Sequence, residues 1–112
     1  MKLNSKNIND VFIIEIEGEI MGGSEADDFK DLLYNAIEDG YTNVVIDLEK
    51  ATWMNSSGLG MLIMGLTSVR SSEGDLRLAN VSERIKRPLE ITKLDSVFSI
   101  YNSVEQAISS FK

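Results

Sequence analysis

The chain has 112 residues, 43% of them hydrophobic and 26% charged, a balance expected of one globular domain spanning residues 1–112. Eighteen Asp and Glu against eleven Lys and Arg leave a net charge of −7, which argues against a general nucleic-acid or anionic-membrane binder, since both need a basic face. With no Cys and no His, disulfides, thiolate nucleophiles, Cys/His zinc sites, Ser-His-Asp triads and imidazole bases are all excluded. Neither a metal nor a cofactor is expected.

The first residues, MKLNSKNIND, contain no apolar h-region, so no signal peptide is read and a cytoplasmic location is expected. Lys2–Asn7 reads as a weak edge strand, and Asn9-Asp10 as a turn into the β-branched run Val11–Ile16. Those two strands should be antiparallel. Gly18, Gly22 and Gly23 loosen the chain before a helix capped by Ser24, with Glu25, Asp27 and Asp28 complementing its dipole. Phe29, Leu32, Leu33, Ala36 and Ile37 recur at helical spacing, and Gly40 is a natural stop. The run Val44-Val45-Ile46 suits a parallel strand covered on both faces.

A second helix is expected from about Ser56 or Ser57 to before Gly74, with Leu59, Leu62, Ile63, Leu66 and Val69 inward. The uncharged stretch Ala51–Val69 contains this helix. Its Thr, Asn, Ser and Gly content makes it a poor membrane span, and no membrane span is expected. Asp75–Val81 is the next strand. Ser82 is placed to cap a third helix carrying Ile85 and Leu89, with Pro88 predicting a kink or a late start. Val97–Ile100 is a short last strand. Ser103 and Gln106 have capping-box spacing ahead of Val104, Ala107, Ile108 and Phe111. The order predicts an α/β domain: a mixed, mostly parallel sheet of four to five strands with about four helices.

The unusual segment is Trp53-Met54-Asn55-Ser56-Ser57-Gly58-Leu59-Gly60, after the central strand and at the start of the second helix. Ligands and chemistry gather at this carboxyl edge of parallel sheets. Two serines at a helix N-terminus can cap free N–H groups, and the same end tolerates a phosphoryl group. Gly58 and Gly60 let another backbone approach. The bland reading is an N-cap followed by flexible residues. Neither the P-loop nor the dinucleotide fingerprint fits, since the third glycine position of the latter is Ile63. G-x-S-x-G is also absent, and with no His a serine has no usual base.

The runs Asn43-Val44-Val45-Ile46-Asp47-Leu48 and Met54-Asn55-Ser56-Ser57-Gly58-Leu59-Gly60 resemble those of the anti-sigma factor antagonists, the bacterial STAS-domain proteins. Gly18-Glu19-Ile20 and Leu89-Glu90-Ile91-Thr92-Lys93-Leu94-Asp95 with Phe98 extend the resemblance over nearly the whole chain. It implies a bacterial partner-switching protein that binds an anti-sigma factor serine kinase and so releases a sigma factor. It further implies ATP-dependent phosphorylation of Ser56, which breaks the complex, and a PP2C-type phosphatase that restores it. The chain would then be a substrate and not an enzyme. Many members carry Asp where this chain has Asn55, which removes a negative charge beside the acceptor. If that carboxylate takes part in the transfer, phosphorylation here is slower or absent. The alternative is an interaction or scaffold module of a stress-signalling or transporter complex, without phosphorylation.

A docking face is expected on the uncharged stretch. Met61, Met64 and Ser68 should point outward, with Met54 and Trp53 near the loop, and Asn55, Ser57, Gly58, Leu59 and Gly60 around Ser56. Packing of those methionines in the core is the competing reading. Arg84, Lys86 and Arg87 form a small basic patch, read as a solvated helix face or a contact for an acidic partner.

Overall fold

The structure, a computed structural model, describes residues 1–111. Six strands form one mixed sheet: β1 (Lys2–Ile8), β2 (Val11–Ile20), β3 (Asn43–Asp47), β4 (Ala51–Met54), β5 (Asp75–Ala79) and β6 (Ser99–Tyr101). The helices are α1 (Glu25–Glu38), α2 (Ser56–Ser71), α3 (Glu83–Ile91) and α4 (Val104–Ser109), with a 3-10 turn at Leu94–Ser96. The strand order is β1-β2-β3-β5-β6, antiparallel only between β1 and β2. Asn9 and Asp10 both adopt positive φ, the geometry of the two-residue turn that matches strand twist.

The strand absent from the expected set is β4. After Asp47 the chain turns, with the Ala51 N–H donating to Leu48 O at 3.1 Å, and runs on parallel to β2 a second time. Ten-residue β2 therefore has two successive partners: Val11–Glu15 lie beside β3, and Gly18–Ile20 beside β4. A register shift at Gly18/Glu19 separates them, and Gly18, at φ +89, supplies the bend. A four-residue strand interrupted by polar Thr52 carries little periodic signal, which is why it reads as loop.

Helices α1, α2 and α3 cover one face of the sheet around Ile14, Ile16, Ile46, Leu76 and Leu78. Helix α4 covers the other face, over Val11, Ile13, Val45 and Ala79. The apolar face expected for α1 is present, with Phe29, Leu33 and Ala36 buried and Leu32 and Ile37 partly so. Its end closes at Gly40, φ +97, where the N–H groups of Gly40 and Tyr41 donate to Ile37 O and Ala36 O. Ser24 and Ser82 stand at N-cap positions but make no side-chain cap bond, unlike Ser103, whose Oγ accepts from the Gln106 N–H at 3.1 Å. Pro88 does not delay α3. The helix runs through it, because a proline at its sixth position leaves only the Arg84 carbonyl without its helical donor.

Candidate functional site

The segment singled out in the sequence lies where β4 ends and α2 begins. Asn55, and neither serine, is the N-cap. Its backbone is extended, its Oδ1 accepts from the Gly58 N–H at 2.8 Å, and its carbonyl accepts from Leu59 N–H at 2.9 Å. Its own N–H donates to Ile20 O, the end of β2, at 3.2 Å. Ser56 and Ser57 are the first two helical residues, both exposed. Among the described residues their N–H groups have no partner, as expected at a helix start.

Two glycines hold this corner together. A Cβ on Gly58 would fall 2.0 Å from Ile20 O, so only glycine lets α2 seat on the backbone of β2. A Cβ on Gly22, at φ +73, would fall 2.8 Å from the Ser57 Cβ. The β2–α1 connection thus lies directly against the serine segment. Gly60 is different: it is exposed, with open space where a side chain would be.

The methionine docking face expected from the sequence is not formed. Met61 is 3% exposed and belongs to the core, as do Met54 and Leu59, while Gly58 is buried and Met64 is half-buried. The cause is the position of α2. It packs on the sheet and touches α1 on one side and α3 on the other, so its buried face is wider than a single stripe. Gly65 and Met61 are consequently inside, along with Leu62, Leu66 and Val69, while Ile63 is only partly covered. Ser68 is half-buried, with its Oγ beside Tyr34 Oη and Met64 Sδ.

The exposed apolar side chains near the serines are others. Trp53, 44% exposed, leads into Asn55 from β4, and Met21, 42% exposed, follows Ile20 at the head of the β2–α1 connection. Parity along β2 does not foretell this exposure, since Val11 and Ile13 share the parity of Met21 and are buried under α4; Met21 is open because it lies past the end of the strand. Asp47, one strand earlier, is buried but partnered, its Oδ1 accepting from Glu49 N–H and Asn80 Nδ2. It is a structural carboxylate at the turn between β3 and β4. Among the described residues no group of acidic side chains is placed to hold a metal ion, and no helix is long and apolar enough to cross a membrane.

Comparison with known proteins meets this geometry directly, because the family model for the STAS domain matches residues 2–107. The chain belongs to the STAS domain family. BtrV of Bordetella bronchiseptica, named as a candidate anti-sigma factor antagonist, is 27% identical over 112 residues, all of this chain and 96% of its own. The anti-sigma-B factor antagonist of Staphylococcus aureus is 28% identical over 92 residues, 78% of this chain and 85% of that one. A crystal structure from Thermotoga maritima, described as a candidate anti-sigma factor antagonist, superposes with a TM-score of 0.87 at 27% identity, covering 96% of this chain and 92% of that chain. This STAS domain therefore sits among relatives named for antagonism of anti-sigma factors.

Proposed function

We propose that the protein is a cytoplasmic anti-sigma factor antagonist. It docks on an anti-sigma factor serine kinase, so freeing a sigma factor, and phosphorylation of Ser56 switches it off. In that step the γ-phosphoryl group of ATP passes to Ser56 Oγ, the hydroxyl proton leaves, and ADP is released. A PP2C-type phosphatase hydrolyses the ester and restores the binding form. The protein is the substrate throughout.

The observation that carries this reading is the exposure of Ser56 at the first position of α2, beside N–H groups without a partner among the described residues. A phosphoryl group brings about −1.5 to −2 charges at pH 7. On the free domain those N–H groups and the helix dipole accommodate it. In a docked interface it must be desolvated against the partner, at a cost on the order of several kcal/mol. Each ~1.4 kcal/mol is tenfold in affinity, so the complex opens while the domain stays folded.

The test joins three measurements. Incubation with the host's kinase and ATP adds the mass of one phosphate, and Ser56→Ala removes that addition. Ser56→Asp weakens kinase binding about tenfold or more without lowering the melting temperature. Asn55 favours a second reading, a scaffold module that is never phosphorylated, since this chain lacks a carboxylate beside the acceptor. No mass change in the wild type, together with normal binding by Ser56→Asp, establishes that reading. Mass addition restored by Asn55→Asp alone would locate the difference in that one side chain.

A further inference from the structure

Where α3 packs beside β4, it leaves a groove of about 430 Å³ lined by Trp53, Arg84, Arg87, Pro88 and Ile91. The four α3 residues fall at i, i+3, i+4 and i+7, one face of the helix, while Ile85 and Leu89 on the opposite face are buried in the core. Ile91 is 72% exposed and Trp53 44%, two of the large apolar side chains most open to solvent. Arg84 and Arg87 are exposed, and neither forms an ion pair or a hydrogen bond among the described residues. Glu83 and Glu90 share the helix but pair with neither arginine. Arginines Arg70 and Arg77, by contrast, are both tied to Asp75.

We propose that this groove docks a protein segment carrying one bulky apolar side chain flanked by Asp or Glu. Charge complementarity selects that occupant. On a chain of net charge −7, two uncommitted guanidiniums beside an exposed indole form a local positive site that an acidic segment can neutralise bidentately. Trp and Arg are also the residue types that dominate binding energy at interfaces, through burial of the ring and directed hydrogen bonds from the fork. The apolar anchor covers Trp53, Pro88 and Ile91, and the carboxylates reach Arg84 and Arg87. A basic segment is repelled by the same pair. Single-stranded nucleic acid could stack on the indole, but two arginines supply little of the phosphate neutralisation it needs, and the overall charge opposes it. The groove shares Trp53 with the serine segment, and its other lining residues belong to α3.

The chain has one tryptophan, so the emission followed is that of Trp53, and R84E/R87E ties a shift in it to the groove. A displayed library of random dodecapeptides is selected on the wild-type protein and on R84E/R87E, whose two positions are exposed and leave the core untouched. Peptides recovered on the wild type should carry an apolar residue between acids and shift Trp53 emission. They should lose affinity about tenfold or more in R84E/R87E and weaken with added salt. Ile91→Ser should weaken them as well, without a change of charge. A library yielding no acidic consensus overturns the proposal, as does binding that survives R84E/R87E with Trp53 emission unchanged. An emission shift with oligo-dT in place of peptide would make the groove a nucleic-acid site. Dimerisation in sedimentation velocity that R84E/R87E abolishes would make the occupant a second copy of the chain. Either result replaces the acidic segment and overturns its assignment.

Discussion

At the scale of single residues, the serine segment depends on what is missing at Gly58. The Ile20 carbonyl occupies the place where a Cβ would stand, 2.0 Å from it, and backbone cannot yield as a flexible side chain can. Gly58→Ala should therefore cost about 2 kcal/mol or more, the range of an overpacked core site, read as a lower urea midpoint at constant m. Gly60→Ala, two residues on, should do the opposite. Its site is open and helical, so alanine should add about 0.5–1 kcal/mol by reducing unfolded-state freedom. If both variants behave alike, the close seating of α2 on β2 is wrong. Both glycines stand out equally in the sequence, and nothing local distinguishes them. The difference comes from a strand end almost forty residues upstream. The same holds for the methionines. Met61 and Met64 have similar neighbours in sequence, yet Met61 is in the core and Met64 half out, because α2 has helices on both sides.

At the scale of elements, most boundaries were legible because local chemistry marks them. The Asn9-Asp10 turn, the α1 face ending at Gly40, and the Ser103–Gln106 cap all read directly. The end of α2 shows where such reading stops. Gly74 suggests a left-handed terminator, but the residue in that conformation is Glu73, at φ 65. The Glu73 and Gly74 N–H groups donate to Arg70 O and Val69 O, the paired bonds of a closed helix end. Gly74 is needed for another reason: a Cβ there would sit 1.9 Å from the Thr42 carbonyl. Glu73→Gly should accordingly stabilise the protein by up to about 1 kcal/mol, through relief of left-handed strain at a non-glycine residue. Calorimetry should show a higher melting temperature. A lower one would mean that the Glu73 side chain contributes more than its backbone costs.

At the scale of the molecule, the two faces of the sheet are covered unequally. Three helices shield one side; among the described residues the other has the single six-residue helix α4 over Val11, Ile13, Val45 and Ala79, with Ile8, Tyr101 and Phe111 at its margins. The order of strands and helices implies a sheet covered on both faces, and the fold class follows from that. How little chain covers the second face is visible only in three dimensions. A chain shortened to residues 1–102 should expose those four side chains, bind a hydrophobic dye such as ANS, and unfold with reduced cooperativity. Normal cooperativity without dye binding would show that α4 is dispensable for the core.

The corner at Asn55 has a bearing on time as well as on affinity. The Asn55 N–H is fastened to Ile20, Gly58 presses on the same carbonyl, and Gly22 abuts Ser57. The start of α2 is thus braced twice, by the end of β2 and by the β2–α1 connection. On the proposed reading, a phosphoryl group on Ser56 would act at the surface a partner meets. The tempo of that response would then be set by the enzymes that add and remove the group.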